Sequence, residues 1–245
     1  MAYTTIDNPE LFFQTLLHVG NNTSFTFAGS ENMQPDLIWN KNRDSSGYDH
    51  HIIDSVRGVS KLLRVSSNIA EFTSSDSITA IGSDGFTVGA DSNGYVSSGT
   101  DKQVSWCWKA GGSSSSNSDG SVTSTVSVST TAGFSIARFT GTGSNLTIGH
   151  GLGVKPDFII LKCDSSGSTD WTCYHSSLGA TKRIKLNATE ASSTNSTTWQ
   201  DTEPTTSVIS VGTSGDVNVS SGTHMVYSFA EKKGYSKFGS YVANG

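Results

Sequence analysis

Residues about 35–111 of this chain recur as residues about 156–234. Pro35-Asp36-Leu37-Ile38 returns as Pro156-Asp157-Phe158-Ile159, and Ser55-x-x-Gly58-x-x-Lys61 returns as Ser176-x-x-Gly179-x-x-Lys182. Val88-Gly89 returns as Val211-Gly212, Ser97-Ser98-Gly99-Thr100 as Ser220-Ser221-Gly222-Thr223, and Ser105-Trp106 as Ser228-Phe229. The offset is 121 residues early in the unit and 123 later. An internal repeat constrains architecture before any local pattern does, because one unit has to fold twice in the same chain. Each unit, at roughly 110–120 residues, can bury about two-thirds of its surface without disulfide staples.

Composition selects the kind of unit. Only 15% of residues are charged, Ser and Thr together exceed a quarter of the chain, and there are 26 glycines. These residues are poor in helix interiors and suit strands and tight turns. The repeat body reads as short strands of alternating pattern. Phe25-Thr26-Phe27 matches Leu146-Thr147-Ile148, and Leu37-Ile38-Trp39 matches Phe158-Ile159-Ile160-Leu161. The turn Asp44-Ser45-Ser46-Gly47 matches Asp164-Ser165-Ser166-Gly167. Val104-Ser105-Trp106-Cys107-Trp108 and Met225-Val226-Tyr227-Ser228-Phe229 close the two units. The expected fold is all-β: two tandem antiparallel β-sandwich domains, jelly-roll-like, from an internal duplication.

Four segments follow. Residues 1–20 form an N-terminal arm, with a strand over the apolar run from Leu11 and a hairpin turn at Asn21-Asn22. Residues 21–112 are the first sandwich. Residues 113–131 are a Ser/Gly-rich linker running into an edge strand, Ser121–Thr131, and residues 132–245 are the second sandwich. Gly234-Tyr235-Ser236 echoes Gly133-Phe134-Ser135, and Tyr241-Val242-Ala243-Asn244-Gly245 resembles the start of a third unit.

Charge and signals exclude several functions. The net charge is −5 with no basic stripe, which argues against nucleic acid as partner. Membrane insertion is not expected, since no apolar run has spanning length. The N-terminus lacks the basic and apolar regions of a secretory signal, so synthesis in a cytoplasm is expected. The three cysteines are odd in number and not repeated, so no disulfide framework is expected. Cys163 and Cys173 flank a predicted hairpin and would bridge only in matching register.

Comparing the copies weighs the reactive residues. Asp49-His50-His51-Ile52-Ile53-Asp54 is the richest ligand-type cluster, but adjacent strand residues face opposite ways, and the second copy keeps no such set. No metal site or cofactor is expected. No Gly-x-Ser-x-Gly elbow marks a serine nucleophile. Glu71 and Glu190 occupy nearly equivalent places, which suggests one structural role performed twice rather than an acid/base pair. No catalytic residue is assigned. Trp106 and Trp108 share one strand face with Cys107 on the other, and the first of them reads as core. Trp171 and Trp199, without aromatic counterparts, are the candidates for a surface contact.

Several of these segments resemble a family of bacteriophage structural proteins abundant in marine phages. The resemblance rests on Tyr3–Gln14, Met33–Asp36, Asp54–Gly58, Trp106–Gly112, Gly149–Gly153, Tyr174–Lys182 and Phe229–Tyr241. It implies a non-enzymatic virion protein, a capsid decoration or a tail or fibre component, made in the host cytoplasm. Its partners would be other capsid or tail proteins and copies of itself. The unrepeated arm would dock to the particle, through Ile6, Pro9, Leu11, Phe12 and Phe13. The alternative is an adhesin whose turn loops bind a host-surface glycan.

Overall fold

The computed structural model describes residues 4–20 and 23–242; the expected turn at Asn21-Asn22 and the last three residues of the Tyr241–Gly245 segment lie outside them. The chain is all-β, built from four antiparallel sheets. In the first half these strands are β1 (Phe13–Val19), β2 (Ser24–Phe25), β3 (Leu37–Asn42), β4 (His51–Asp54), β5 (Lys61–Arg64), β6 (Phe72–Thr73), β7 (Ile78–Ile81), β8 (Phe86–Val88) and β9 (Lys102–Trp108). They form a large sheet ordered β1-β9-β3-β4-β5-β6 and a small one ordered β2-β8-β7.

The second half begins with β10 (Ser115–Asn117) and β11 (Ser124–Ser129). Then come β12 (Phe134–Thr140), β13 (Leu146–Gly149), β14 (Phe158–Cys163), β15 (Thr172–His175), β16 (Lys182–Lys185), β17 (Ser193–Thr194), the short helix α1 (Ser196–Trp199), β18 (Val208–Val211) and β19 (Thr223–Phe229). Its large sheet runs β10-β11-β12-β19-β14-β15-β16-β17, and β13 pairs with β18. From β12 onward the large sheet has the order found in the first half.

Local chemistry explains the shared motifs. Pro35-Asp36 and Pro156-Asp157 open β3 and β14. Asp36 N–H donates to the Trp108 carbonyl, and Asp157 N–H donates to the Phe229 carbonyl. The Asp36 carboxylate then accepts the amides of Ala110 and Gly112, and that of Asp157 accepts Glu231 N–H. Each aspartate clamps the chain as it leaves the central strand. In the Ser-x-x-Gly-x-x-Lys turns, Gly58 and Gly179 donate to the carbonyls of Asp54 and His175. Both glycines have positive φ, 97° and 74°, which a side chain would disfavour.

Register corrects the sequence alignment at its later end. Leu37 pairs with Trp108 and Phe158 with Phe229. Trp108 therefore corresponds to Phe229, and Trp106 to Tyr227, at a constant offset of 121. The turn before the last strand agrees: Asp101 N–H donates to Ser98 O, and Gly222 N–H to Val219 O. The two Ser-Ser-Gly-Thr segments are thus out of register by two residues.

Four layers stack into one body. Leu62, Ile38, Ile53, Cys107 and Phe86 fill the space between the first half's two sheets. Ile159, Leu161, Val226, Ile209 and Trp199 do so in the second. A third core lies between the two large sheets, where Leu37, Ile52 and Leu63 meet Phe134, Ile160, Trp171 and Tyr227. Because both faces of the large sheets are covered, β4 is buried throughout and β14 nearly so. Burying a large apolar side chain contributes roughly 2 kcal/mol. The thirteen buried residues of the central core therefore favour the joined halves. The halves are not beads on a flexible string.

The linker expectation changes accordingly. Residues 115–117 are a strand, β10, hydrogen-bonded to β11. β11 is paired with β12 along its length and with β10 over its first three residues, so the outermost strand is β10 rather than β11. The expected hairpin after residue 20 does not form either: β1 pairs with β9 and β2 with β8, in different sheets.

Candidate functional site

The central layer contains the most developed arrangement of side chains. A cavity of about 240 Å³ lies between the large sheets. Trp39, Leu37, Ile52 and Trp108 line it from the first half; Phe134, Phe158, Ile160, Tyr227 and Phe229 line it from the second. Tyr235, Ser236 and Phe238 from the C-terminal segment complete the wall. The rings interlock: Phe134 and Phe229 centroids are 4.8 Å apart, and Phe238 stacks on Phe158 at 6.1 Å. Such a lining suits an apolar group, and the Ser236 hydroxyl in it is held by Lys232 N–H and the Ala230 carbonyl.

Beside the cavity, Asp54 ends β4 with its side chain buried. Its Oδ1 accepts the amides of Val56 and Arg57. Its Oδ2 lies 2.6 Å from Arg57 Nε and accepts the Tyr227 hydroxyl at 2.8 Å. Arg57 also donates to the carbonyls of Ile52 and Lys61. Burial alone would lower the Arg57 pKa, but Asp54 holds it above the ordinary arginine value. Burial, with the adjacent Asp54 charge, pushes the Tyr227 hydroxyl well above its ordinary value. The trio is a fixed ion pair with a locked hydroxyl across the two halves.

Three further joints lie along the same seam. Trp171 Nε1 donates to the carbonyls of Arg64 and Ser67. Lys162 Nζ donates to Asn68 O at 3.2 Å and Thr169 O at 2.6 Å. Burial draws the Lys162 ammonium down to about 8. The Asp164 carbonyl accepts Glu71 N–H at 2.7 Å. First-half residues 64–71 are therefore gripped by the second half.

The sequence-predicted residues fall elsewhere than expected. Trp171 and Trp199 are 0% and 1% exposed, so neither offers a surface contact. They were misread because indole is apolar over most of its area and fills cores whenever its N–H finds a partner, as Trp171 does. The N-terminal residues do not form a free arm. Ile6 is buried, Phe12 packs on the central core, and Phe13 starts β1 against Trp108. Leu11 is half-buried in the helical turn Pro9–Leu11, and Pro9 is exposed.

His50 and His51 face opposite ways. Trp39 Nε1 donates to His50 Nδ1, while His51 sits between Phe72 and Tyr95. Among the described residues, no three His, Cys, Asp or Glu side chains come together as a metal site. The cysteines are free and buried, and Cys173 pairs with Ile160 rather than Cys163. No described helix is long and apolar enough to cross a membrane. Asp44–Gly47 is largely exposed, whereas Asp164 is buried beside the first half. The joint Asp54–Arg57–Tyr227 was missed, and the sequence carried one hint: Asp54 and Arg57 bracket a repeated turn in which the second half has His175 and Leu178.

By fold this is an all-β protein of four stacked antiparallel sheets whose centre is an apolar, ion-pair-braced seam. A family model described as a domain of unknown function (DUF7483) matches residues 8–245, one match spanning both halves, and the chain belongs to that family. No curated protein and no solved structure matches it.

Proposed function

We propose that the chain is a non-enzymatic structural protein of a bacteriophage particle, a capsid decoration or a tail or fibre component. In this reading it is built from two copies of one jelly-roll-like sandwich produced by internal duplication. The observation that carries the reading is how the reactive side chains of the centre are used. Asp54, Arg57, Tyr227 and Lys162 are each committed to joints that lock one half on the other. The resemblance to phage structural proteins supplies the setting in which such a block works, among other virion proteins and copies of itself. The docking element is reassigned from Ile6–Gln14, which belongs to the folded body, to the exposed surface. Purified particles, probed with an antibody to this chain and by mass spectrometry, should contain it in stoichiometric multiples. Its absence from particles of a phage that expresses it would overturn the reading.

An adhesin is the second reading. A polar depression lined by Tyr48, Ser92, Asn93 and Ser98 adjoins the exposed Asp44–Gly47 turn, and an aromatic ring beside amide and hydroxyl groups suits a sugar. Saturable binding to a glycan array, lost in Tyr48→Ala, would favour it.

A further inference from the structure

The two large sheets have four outer strands between them. Three are very short: β6 and β17 have two residues each and β10 has three. The fourth, β1, has seven, and no described strand pairs with its outer side. Long free edges are hazards that folds normally blunt with Lys, Pro, a bulge or a covering segment. β1 reads Phe-Gln-Thr-Leu-Leu-His-Val, with no Lys or Pro, and its register with β9 is unbroken.

The second half shows what this edge normally receives. β12 occupies the place of β1, and β11 pairs along it from Ser124↔Phe139 to Ser129↔Phe134. Where the chain covers its own edge, Arg138 and Thr140 stand at positions offset by 121 from Leu17 and Val19. Where the edge is bare, Leu17 is 63% and Val19 46% exposed. The apolar pair lies on the uncovered strand, not the covered one.

Hydrogen-bond alternation says which groups are free. Phe12 O accepts Lys109 N–H and Gly20 N–H donates to Asp101 O, so the even-numbered residues bond inward to β9. The backbone groups of Phe13, Thr15, Leu17 and Val19 therefore point outward. An antiparallel copy of the same strand satisfies them with its two-fold axis at Leu16. Phe13 then lies opposite Val19 and Thr15 opposite Leu17, all uncharged and on one face. Gln14 lies opposite His18.

We propose that two copies of the chain join through β1, edge to edge and antiparallel, making one continuous sheet from their first-half large sheets. The partner is a second copy because the edge is self-complementary and carries no Lys, Arg, Asp or Glu that would select an oppositely charged partner, its one histidine, His18, being buried against Ser105. This dimer stands independently of the virion reading.

Sedimentation of the purified full chain tests it. The wild type should be a dimer at micromolar concentration. Leu17→Lys/Val19→Lys should be monomeric, or dissociate with a constant at least tenfold higher, with an unchanged far-UV circular dichroism spectrum. Thr15→Pro, whose lost N–H points outward, should weaken the dimer in the same way. Hydrogen exchange of the wild type needs no variant: the amides of Thr15, Leu17 and Val19 should be protected at high concentration and exposed on dilution. A wild type that stays monomeric at high micromolar concentration overturns the proposal. So does a dimer that survives Leu17→Lys/Val19→Lys, or those three amides exchanging freely within a dimer.

Discussion

Across the inner face of the first half runs a row of Leu16, Ser105 and Asn40; at the same three places the second half carries Ala137, Val226 and Leu161. The next row contrasts His18, Gln103 and Asn42 with Phe139, His224 and Cys163. The polar rows are hydrogen-bonded to each other in part, with Gln103 Nε2 and His18 Nδ1 left without a partner. Ser105 Oγ donates to Asn40 Oδ1 at 2.8 Å, Asn40 Nδ2 donates to Gln103 Oε1 at 3.2 Å, and His18 Nε2 lies 3.3 Å from Ser105 Oγ. One strand order thus accepts either an apolar or a polar inner row, most of whose polar groups hydrogen-bond one another. The polar version is the more vulnerable, since an interior hydrogen bond adds only about 1 kcal/mol net but leaves a larger penalty when its partner is removed.

Acid should expose that difference most. Burial draws His18, His51 and His224 from the ordinary value down to about 4, with the Arg64 charge adding to the effect at His51. Two of the three lie in the first half. The folded state keeps them neutral down to about pH 4, while the unfolded chain protonates them below about 6.5. Unfolded chains therefore bind more protons in that window. The histidine contribution is complete above pH 6.5 and is lost as pH falls toward 4, by about 3 kcal/mol per histidine. Urea midpoints should drop steeply between pH 6.5 and 4.5. Asp76, Asp170 and Glu203, held below the usual carboxylate range by their hydrogen bonds and ion pairs, act at lower pH. Burial lowers His50 and His150 as well, so His18→Phe, which copies Phe139, should remove one share of the slope among five; an unchanged slope would take His18 out of the account.

The joint between the halves comes next in size. It is one-sided: the first half supplies Asp54 and Arg57, and the second supplies Tyr227. Asp54→Ala strands a buried guanidinium and should cost about 3–5 kcal/mol. Tyr227→Phe removes a single hydroxyl and should cost about 1 kcal/mol. Equilibrium denaturation measures both. Equal losses would mean that the ion pair is not the principal brace.

These effects separate what the sequence could tell from what it could not. Pro-Asp and Ser-x-x-Gly-x-x-Lys were legible because they act locally, through a clamp and a positive-φ turn within a few residues. The all-β class followed from Ser, Thr and Gly. The stacking of the two large sheets was not legible. Their outward faces carry Trp39, Trp108, Phe158 and Phe229, which a single sandwich would equally use inside. The same blindness put Trp171 and Trp199 at the surface and made residues 115–117 a linker. An isolated Ser-Ser-Asn becomes a strand only because β11 lies beside it. Long-range pairing decides such segments, and local propensity does not.

Breaking the polar row should have a moderate effect. Asn40→Leu, copying Leu161, leaves Ser105 and Gln103 short of a partner and should cost about 1–3 kcal/mol by denaturant melt. Adding Ser105→Val and His18→Phe puts the second half's residues at three of the polar places and should recover the part of that loss owed to Ser105, while Gln103 keeps its own. A triple variant as unstable as the sum of its parts would show that the two halves are not interchangeable in their packing.

The smallest effect lies on the second half's own brace. Glu203 accepts the hydroxyl of Tyr174 and the amide of Ala180, and pairs with Lys155 at 2.7 Å. The first half has Ile53 at the place of Tyr174 and packs it apolar. Lys155 and Glu203 are both substantially exposed, so solvent screens their attraction and Lys155→Ala should cost less than about 1 kcal/mol. Glu203→Gln, which weakens the two interior-facing bonds as well, should cost more. If thermal melts show Lys155→Ala to be the costlier change, the brace is an ion pair at the surface, and the half with the apolar rows owes part of its stability to charge after all.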